Sequence, residues 1–486
     1  MSLARTLVAA ALVASLGSAR VARADDAPEP TARQRDKADL THLLDERHDD
    51  RDEPWNLYGQ LTYISSWKRP FSARYTNLNG STASLGTDAE RSWTASFTLY
   101  LGVHLWPGGE AYFVPEVIAE RALADLHGLG GTIQNFELQK QGSTRPLVYR
   151  SRIFLQHTVG LGGAKSERTS DPMQLGGVAD ARRIVFRAGS FSIIDFFDKS
   201  SVVGDPRRGF FNMAFMTHAA YDFAADARGY SWGAMTELFW DDWAVRLGRF
   251  AQPENPNDLP LTFQLDRYYG DQLELEHRHE LFGKAGAVRV LGYRNRAKMA
   301  RFDDALAAHQ GDPSKNAAAC GDLYNYSSAN VGAPDLCWAR RPNVKVGIGL
   351  NLEQQLTDDL GLFFRAMLSD GQTEVYAFTS TDRSLSLGAI GKGSMWRRPL
   401  DVAGVGYGIG GISSAHADYL RAGGVDGFIG DGTIRPAGES VIEAFYSLNV
   451  FGPTWVSIDY QHLTHPAFNA DRGPIDIFGA RLHAEF

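Results

Sequence analysis

Thirteen consecutive residues, Trp93 to Leu105, alternate apolar and polar side chains without a break. Trp93, Ala95, Phe97, Leu99, Leu101, Val103 and Leu105 share one face, and Thr94, Ser96, Thr98, Tyr100, Gly102 and His104 share the other. A period of two belongs to a β-strand whose two faces meet different surroundings. The pattern recurs in Val344 to Glu353 and in Leu360 to Leu368. In a soluble sandwich the apolar face would meet a second sheet, and in a membrane barrel it would meet lipid. Alternation alone leaves both open.

The two ends of the chain separate these alternatives. Arg5, the apolar run Leu7 to Leu16 and the small-x-small triplet Ala22-Arg23-Ala24 form a secretory signal, with cleavage expected after Ala24. Residues 25–54 are dense in charge and have no aromatic before Trp55, so they read as a polar periplasmic tail. At the other end Phe478, Ala480, Leu482, Ala484 and Phe486 alternate with Gly479, Arg481, His483 and Glu485, and the chain stops on the aromatic. This segment resembles the terminal strand of bacterial outer-membrane barrels, whose last aromatic is read by the assembly machinery; here that residue is Phe486.

Composition excludes other classes. No stretch of about 20 apolar residues exists for a membrane-spanning helix. A net charge of -8, from 49 Lys and Arg against 57 Asp and Glu, argues against a nucleic-acid partner. Removal of the leader, with its three Arg and no acid, takes the charge to -11.

Connection lengths extend the barrel reading over residues 55–486. Strand cores begin near positions 55, 93, 111, 149, 183, 230, 243, 271, 287, 343, 360, 383, 401, 440, 454 and 475. Tight connections alternate with long ones, as short periplasmic turns and longer outer loops should. The exception, from about Leu161 to Arg182, is long yet falls on the periplasmic side by parity. The expected fold is all-β: a transmembrane antiparallel β-barrel of about sixteen strands, wide enough for a water-filled lumen.

Several strings then identify a family. Leu105-Trp106-Pro107-Gly108-Gly109-Glu110-Ala111-Tyr112-Phe113, Asp180-Ala181-Arg182-Arg183, Phe191 to Asp198, Asp205-Pro206-Arg207, Ala224 to Tyr230 and Asp471 to Pro474 occur in that order. Together they resemble the carbohydrate-selective porins of the OprB type, across nearly the whole mature chain. The resemblance implies passive diffusion of glucose-like sugars into the periplasm, with no enzymatic activity, cofactor or energy coupling. It also implies a barrel set in outer-membrane lipid and lipopolysaccharide, and a homo-oligomer fits it as well as a monomer does. No surface-layer domain precedes the barrel, so a wall-anchoring role is not expected.

A sugar is neutral, rich in hydroxyls and apolar on its ring faces, so its site should combine fixed donors and acceptors with aromatic rings. Strand parity turns Glu116, Arg152, Gln156, Arg187, Glu237, Arg246, Glu274, Glu276, Arg278, Lys345, Glu353, Arg365, Asp459 and Gln461 toward the lumen. From these, Glu116, Arg152, Arg187, Glu237, Arg246, Glu274 and Arg365 are the candidates for the constriction. The third outer loop, about Ile194 to Gly229, is rich in Phe for a surface loop and is expected to fold inward, with Arg207 and Arg208 facing the narrowing. Trp55, Trp67, Trp93, Trp106, Trp232, Trp240, Trp243 and Trp455 are expected at the membrane interfaces.

Cys320 and Cys337 share one long loop of an exported chain, which predicts a disulfide rather than free thiols or metal ligands. Two other motifs are discounted. Gly406 to Gly411 mimics part of a dinucleotide fingerprint but lies in an alternating strand with no helix after it. His277 and His279 share a face turned toward lipid or the adjacent turn, with no carboxylate joining them there. No metal site is expected. The alternatives are a general or acidic-solute porin and, further off, an outer-membrane hydrolase; no motif places any of the 13 His beside a nucleophile.

Overall fold

Sixteen antiparallel strands close into one barrel in a computed structural model that describes residues 53–138, 140, 142–320, 328–377 and 379–486. The signal sequence and nearly all of the expected tail lie outside the described residues. The barrel strands are β1 (Trp55–Lys68), β2 (Glu90–Trp106), β3 (Gly109–Arg121), β4 (Leu147–Gly160), β5 (Arg182–Phe191), β6 (Ser231–Trp240), β7 (Trp243–Phe250) and β8 (Tyr269–Leu281). They continue as β9 (Lys284–Met299), β10 (Arg341–Gln355), β11 (Leu360–Ser369), β12 (Arg383–Lys392), β13 (Val402–Gly411), β14 (Glu439–Phe451), β15 (Thr454–Thr464) and β16 (Ile475–Glu485). Every start falls within three residues of its expected position, because each strand opens where the two-residue period begins.

Closure joins β1 to β16 in register from Gln60 opposite Glu485 to Lys68 opposite Ile477. Phe486 extends this pairing: its N–H donates to the Gly59 carbonyl at 3.0 Å, and its ring stacks on Phe97 with centroids 6.0 Å apart. A Cβ on Gly59 would lie 2.2 Å from the Phe486 ring, so the absent side chain leaves the ring its place.

Burial is inverted relative to a water-soluble protein. Leu247, Leu273 and Ile458 are 58%, 53% and 66% exposed on the outside of the wall, whereas Arg246 and Glu274 on the inside are 5% and 0% exposed. The outer face is suited to hydrocarbon and the inner face to polar contacts. Of the eight tryptophans expected at the interfaces, Trp67, Trp106, Trp240 and Trp243 are exposed at strand ends and follow this logic. Trp455 does not. It shares the inward parity of Asp459 and Gln461, is 2% exposed and lies beneath the Arg208 guanidinium at 4.4 Å. His277 stacks on Trp243 at 4.2 Å, near the β8–β9 turn.

Long connections gather at the end of the barrel opposite Trp55 and Phe486. They include two helices, α1 (Phe302–Gly311) and α2 (Ser414–Arg421), which pack together around Phe302, Tyr419 and Leu420. Cys320 and Cys337 are bonded in the same region. On α2 the buried His416 ring stacks on Phe302 at 4.3 Å, with Nδ1 3.1 Å from Asp382 and Nε2 3.2 Å from Asp426. Burial pulls the imidazole pKa down, but the two carboxylates outweigh it and lift it to about 9. The unfolded value is about 6.5, so this contribution to stability is complete below that pH and is lost as pH rises through about 9. Proteolysis within residues 412–438 should therefore accelerate from pH 7 to pH 10, and His416→Gln should flatten the dependence. A wild-type rate that does not change over this range would contradict the assignment.

Candidate functional site

Inward side chains on one half of the wall form a continuous ladder of ion pairs. Arg187 pairs with Glu237; Arg246 bridges Glu237 at 2.7 Å, Glu274 at 2.7 Å and Glu276 at 2.9 Å; Arg289 links Glu276 at 2.9 Å to Glu353 at 3.2 Å. Gln156 accepts from Arg187 Nε at 2.7 Å and donates to Glu110 at 2.9 Å, which extends the ladder to β3. Each charge has an opposite neighbour on the next strand, so the low-dielectric wall holds little uncompensated charge. Arg187, Glu237, Arg246 and Glu274 thus sit together, but they bind one another.

The other expected residues divide. Glu116, Arg152 and Arg207 converge with Lys140 and Glu137. Lys140 lies 3.0 Å from Glu116, and Arg207 lies 2.9 Å from Glu137 and 3.6 Å from Glu116. Arg152 binds both oxygens of Asp195 at 2.7 Å in a bidentate pair. Aromatic rings lie between these cations: Lys140 Nζ and the Arg152 guanidinium are 5.4 and 5.2 Å from the Tyr230 ring, and Arg207 is 5.4 Å from Phe136. Side-chain exposures of 13% for Arg152, 14% for Lys140 and 17% for Arg207 exceed the 7% of Arg246 and Arg289. Burial pulls Lys140 and Arg207 toward neutrality, but Glu116 beside the first and Glu137 beside the second outweigh it and hold both cationic.

Arg208 and Arg365 go elsewhere. Arg208 points away from its neighbour and pairs with Glu485 on β16. Arg365 is buried 3.3 Å from Asp198 and donates to the Phe215 carbonyl at 2.9 Å, so it fastens the connection between β5 and β6 to the wall. Burial pushes the Asp198 carboxyl up, but Arg365 and His218 outweigh it and hold it below the usual range.

That connection, residues 192–230, packs Phe210, Phe211, Met213 and Phe215 against the inward-facing Phe363, Val402, Val441 and Phe445. Two features of the wall receive it. The alternate glycines of β13 offer room: a Cβ on Gly406 would lie 2.7 Å from the Phe215 ring, and one on Gly408 would lie 3.2 Å from Ala214. The mimic of a dinucleotide motif is therefore a seat for rings. Beside it Glu443 accepts the backbone N–H groups of Phe211 and Asn212, and the Asn212 amide donates to Gln461 at 2.9 Å. Glu439, four residues earlier on the same face of β14, accepts from Gly130, Gly131 and Thr132 of the preceding long connection and from Ala467.

The family model for the carbohydrate-selective porin, OprB family, matches residues 83–486. The high-pH structure of OprB from Pseudomonas putida is similar at a TM-score of 0.64 and 15% identity, over 92% of this chain and 96% of that one. OmpT of Vibrio cholerae, in a trimer form, matches at a TM-score of 0.46 and 11% identity, covering 89% and 99%. OccK2 (OpdF) of Pseudomonas aeruginosa matches at 0.42 and 10%, covering 88% and 97%. No curated protein matches the chain.

Arg289, Glu439, Glu443 and Arg481 were not among the sequence candidates, although the same alternation turns them inward. Lys140 and Glu137 carry no periodic signal, since they lie in a long connection. Glu443 makes a specific forecast possible. Glu443→Ala should release the Phe211–Asn212 segment and admit trypsin after Arg207 or Arg208 in an otherwise folded, heat-modifiable barrel. Equal resistance of variant and wild type on an unheated gel would refute this anchoring role.

Proposed function

The chain belongs to the OprB family of carbohydrate-selective porins and is an outer-membrane channel for passive sugar diffusion, and from that premise we propose that its selective narrowing is the cluster of Arg152, Arg207 and Lys140 around Tyr230. In this reading the connection 192–230 is the infolded third outer loop, and the end of the barrel that carries Trp55 and Phe486 faces the periplasm. Export then uses the amino-terminal signal cut after Ala24. The terminal strand ending in Phe486 is the element offered to the assembly machinery, and the apolar outer wall is set among lipid and lipopolysaccharide.

One observation supports the cluster most: three cations, Arg152, Arg207 and Lys140, are matched by three carboxylates, Glu116, Glu137 and Asp195, around aromatic rings. A solute with a net charge would be favoured by an unbalanced site. A neutral polyol is favoured here, because guanidinium forks and carboxylates offer donors and acceptors to its hydroxyls while the rings face its C–H surfaces. The same balance speaks against the acidic-solute alternative. The ladder on β5 to β10 is the rigid wall behind this site, and Arg208 and Arg365 fix the loop that supplies Arg207.

Porin carrying Arg152→Ala and Arg207→Ala should show larger single-channel conductance in planar bilayers. Its affinity for glucose as a blocker should fall about tenfold, equivalent to about 1.4 kcal/mol. Unchanged block together with unchanged conductance would remove these residues from the sugar path.

A further inference from the structure

One stretch of the lipid-facing wall carries charge. Leu155, Ala188, Ala234, Arg249, Asp271 and Arg294 stand opposite one another in turn across β4 to β9 and form a single row on the outside of the barrel. Arg249 donates to both oxygens of Asp271, from Nε at 2.7 Å and from Nη2 at 3.0 Å, and Arg294 donates to the same carboxylate. The two guanidinium groups lie 4.1 and 5.1 Å from the Tyr269 ring. Their side chains are 45% and 51% exposed, so the cluster is open to whatever surrounds the barrel.

The row lies inside the apolar band and not at its rim. Arg249 is six residues along β7 from Trp243 at the turn. At a rise of about 3.3 Å per residue and a tilt of about 40°, it sits about 15 Å above that tryptophan, within a hydrocarbon band about 25 Å tall. Its neighbours agree with this depth. Val346 and Val344, opposite Arg294 and Arg296 on β10, are 46% and 45% exposed, and Ile153 continues the apolar face on β4. Arg296 and Lys298 share the outward parity of Arg294, so this stretch of β7 to β9 carries four cations against one carboxylate. Cations against hydrocarbon are costly unless a polar group reaches them.

Beside the cations the wall is hollow. Ala188 and Ala234 are the small members of the row, and a groove of about 670 Å³ opens over them, lined also by Leu155, Phe186 and Leu247 and reaching Arg249 and Asp271. We propose that groove and cations together form a specific site for a phosphate-bearing glycolipid of the outer leaflet. An acyl chain lies over Ala188 and Ala234, and a phosphate is held by the guanidinium forks of Arg249 and Arg294, with Arg296 and Lys298 adding charge above them. Asp271 is a positioning residue that keeps the two forks side by side. The assignment to the outer leaflet rests on the orientation given above, since the row lies in the half of the band away from Trp55 and Phe486.

The test uses the full-length porin, freed of lipid in detergent, and counts bound lipid by native mass spectrometry. Bisphosphorylated lipid A should bind as one tight equivalent, and its phosphate-free form about tenfold more weakly. Arg294→Gln with Arg296→Gln should cost about tenfold in affinity, and so should Ala234→Trp, which fills the groove and leaves every charge in place. Heat-modifiability selects the folded barrels of each variant. Wild-type affinity in either variant, or equal affinity for the phosphate-free lipid, overturns the proposal. Displacement of lipid A by an equal concentration of inorganic phosphate would mark a bare anion site and overturns it too. So does the appearance of dimers or trimers that the variants abolish, because the groove would then be an interface between copies of the chain. Orientation is read separately by a peptide tag placed after Gly311, which antibody should reach on intact cells. A hidden tag overturns the orientation and the leaflet assignment together, whereas an exposed tag without lipid binding overturns the site alone. Failure of the sugar path would appear elsewhere, as normal glucose block in the Arg152→Ala, Arg207→Ala porin.

Discussion

Everything in this molecule depends on the pairing of its first strand with its last. A sheet in hydrocarbon cannot leave backbone N–H and C=O groups unpaired at an edge, since each would cost several kcal/mol. The ladder between β1 and β16, extended to the reciprocal contact of Gly59 with Phe486, removes that edge. Closure then fixes which side of every strand faces inward. Once the faces are fixed, the two-residue period distributes leucine and isoleucine to the outside and arginine and glutamate to the inside.

The interior that results is divided in its chemistry. On β5 to β10 the ion pairs run from strand to strand and satisfy one another, which makes a stiff polar wall. On β13 and β14 the inward positions carry glycines, the apolar Val402, Val441 and Phe445, and two carboxylates, Glu439 and Glu443, that accept from backbone N–H groups of loops. Charge on the first half neutralises charge, whereas on the second half it holds chain. The cations with more accessible surface lie where these two regimes meet, beside Tyr230.

The fold was legible because its determinants are local and periodic. Thr94, Ser96 and Thr98 announce an inward face by their spacing alone, and each strand start followed from the same rule. Inward placement of Glu237, Arg246 and Glu274 was legible for that reason too, but their mutual pairing was not, since register between strands is set by closure. Loops obey no period. Arg207 and Arg208 are adjacent in sequence and separate in space, one toward Glu137 and the other toward Glu485, and nothing in the string of residues distinguishes them. Trp455 shows the opposite failure: composition suggested the interface, although its parity with Asp459 already turned it inward.

The glycines of β13 have a consequence for how such a channel can change. Their missing side chains are replaced by Phe215 and Ala214, delivered by a loop. The circumference of the cylinder is set by strand number and tilt, which no single substitution alters. In the function proposed above, its calibre is set on this side by how deeply a separate segment seats against bare backbone. The two dimensions are therefore independent variables, and a lineage could retune the bore by editing a few residues of one connection while leaving every hydrogen bond of the wall intact.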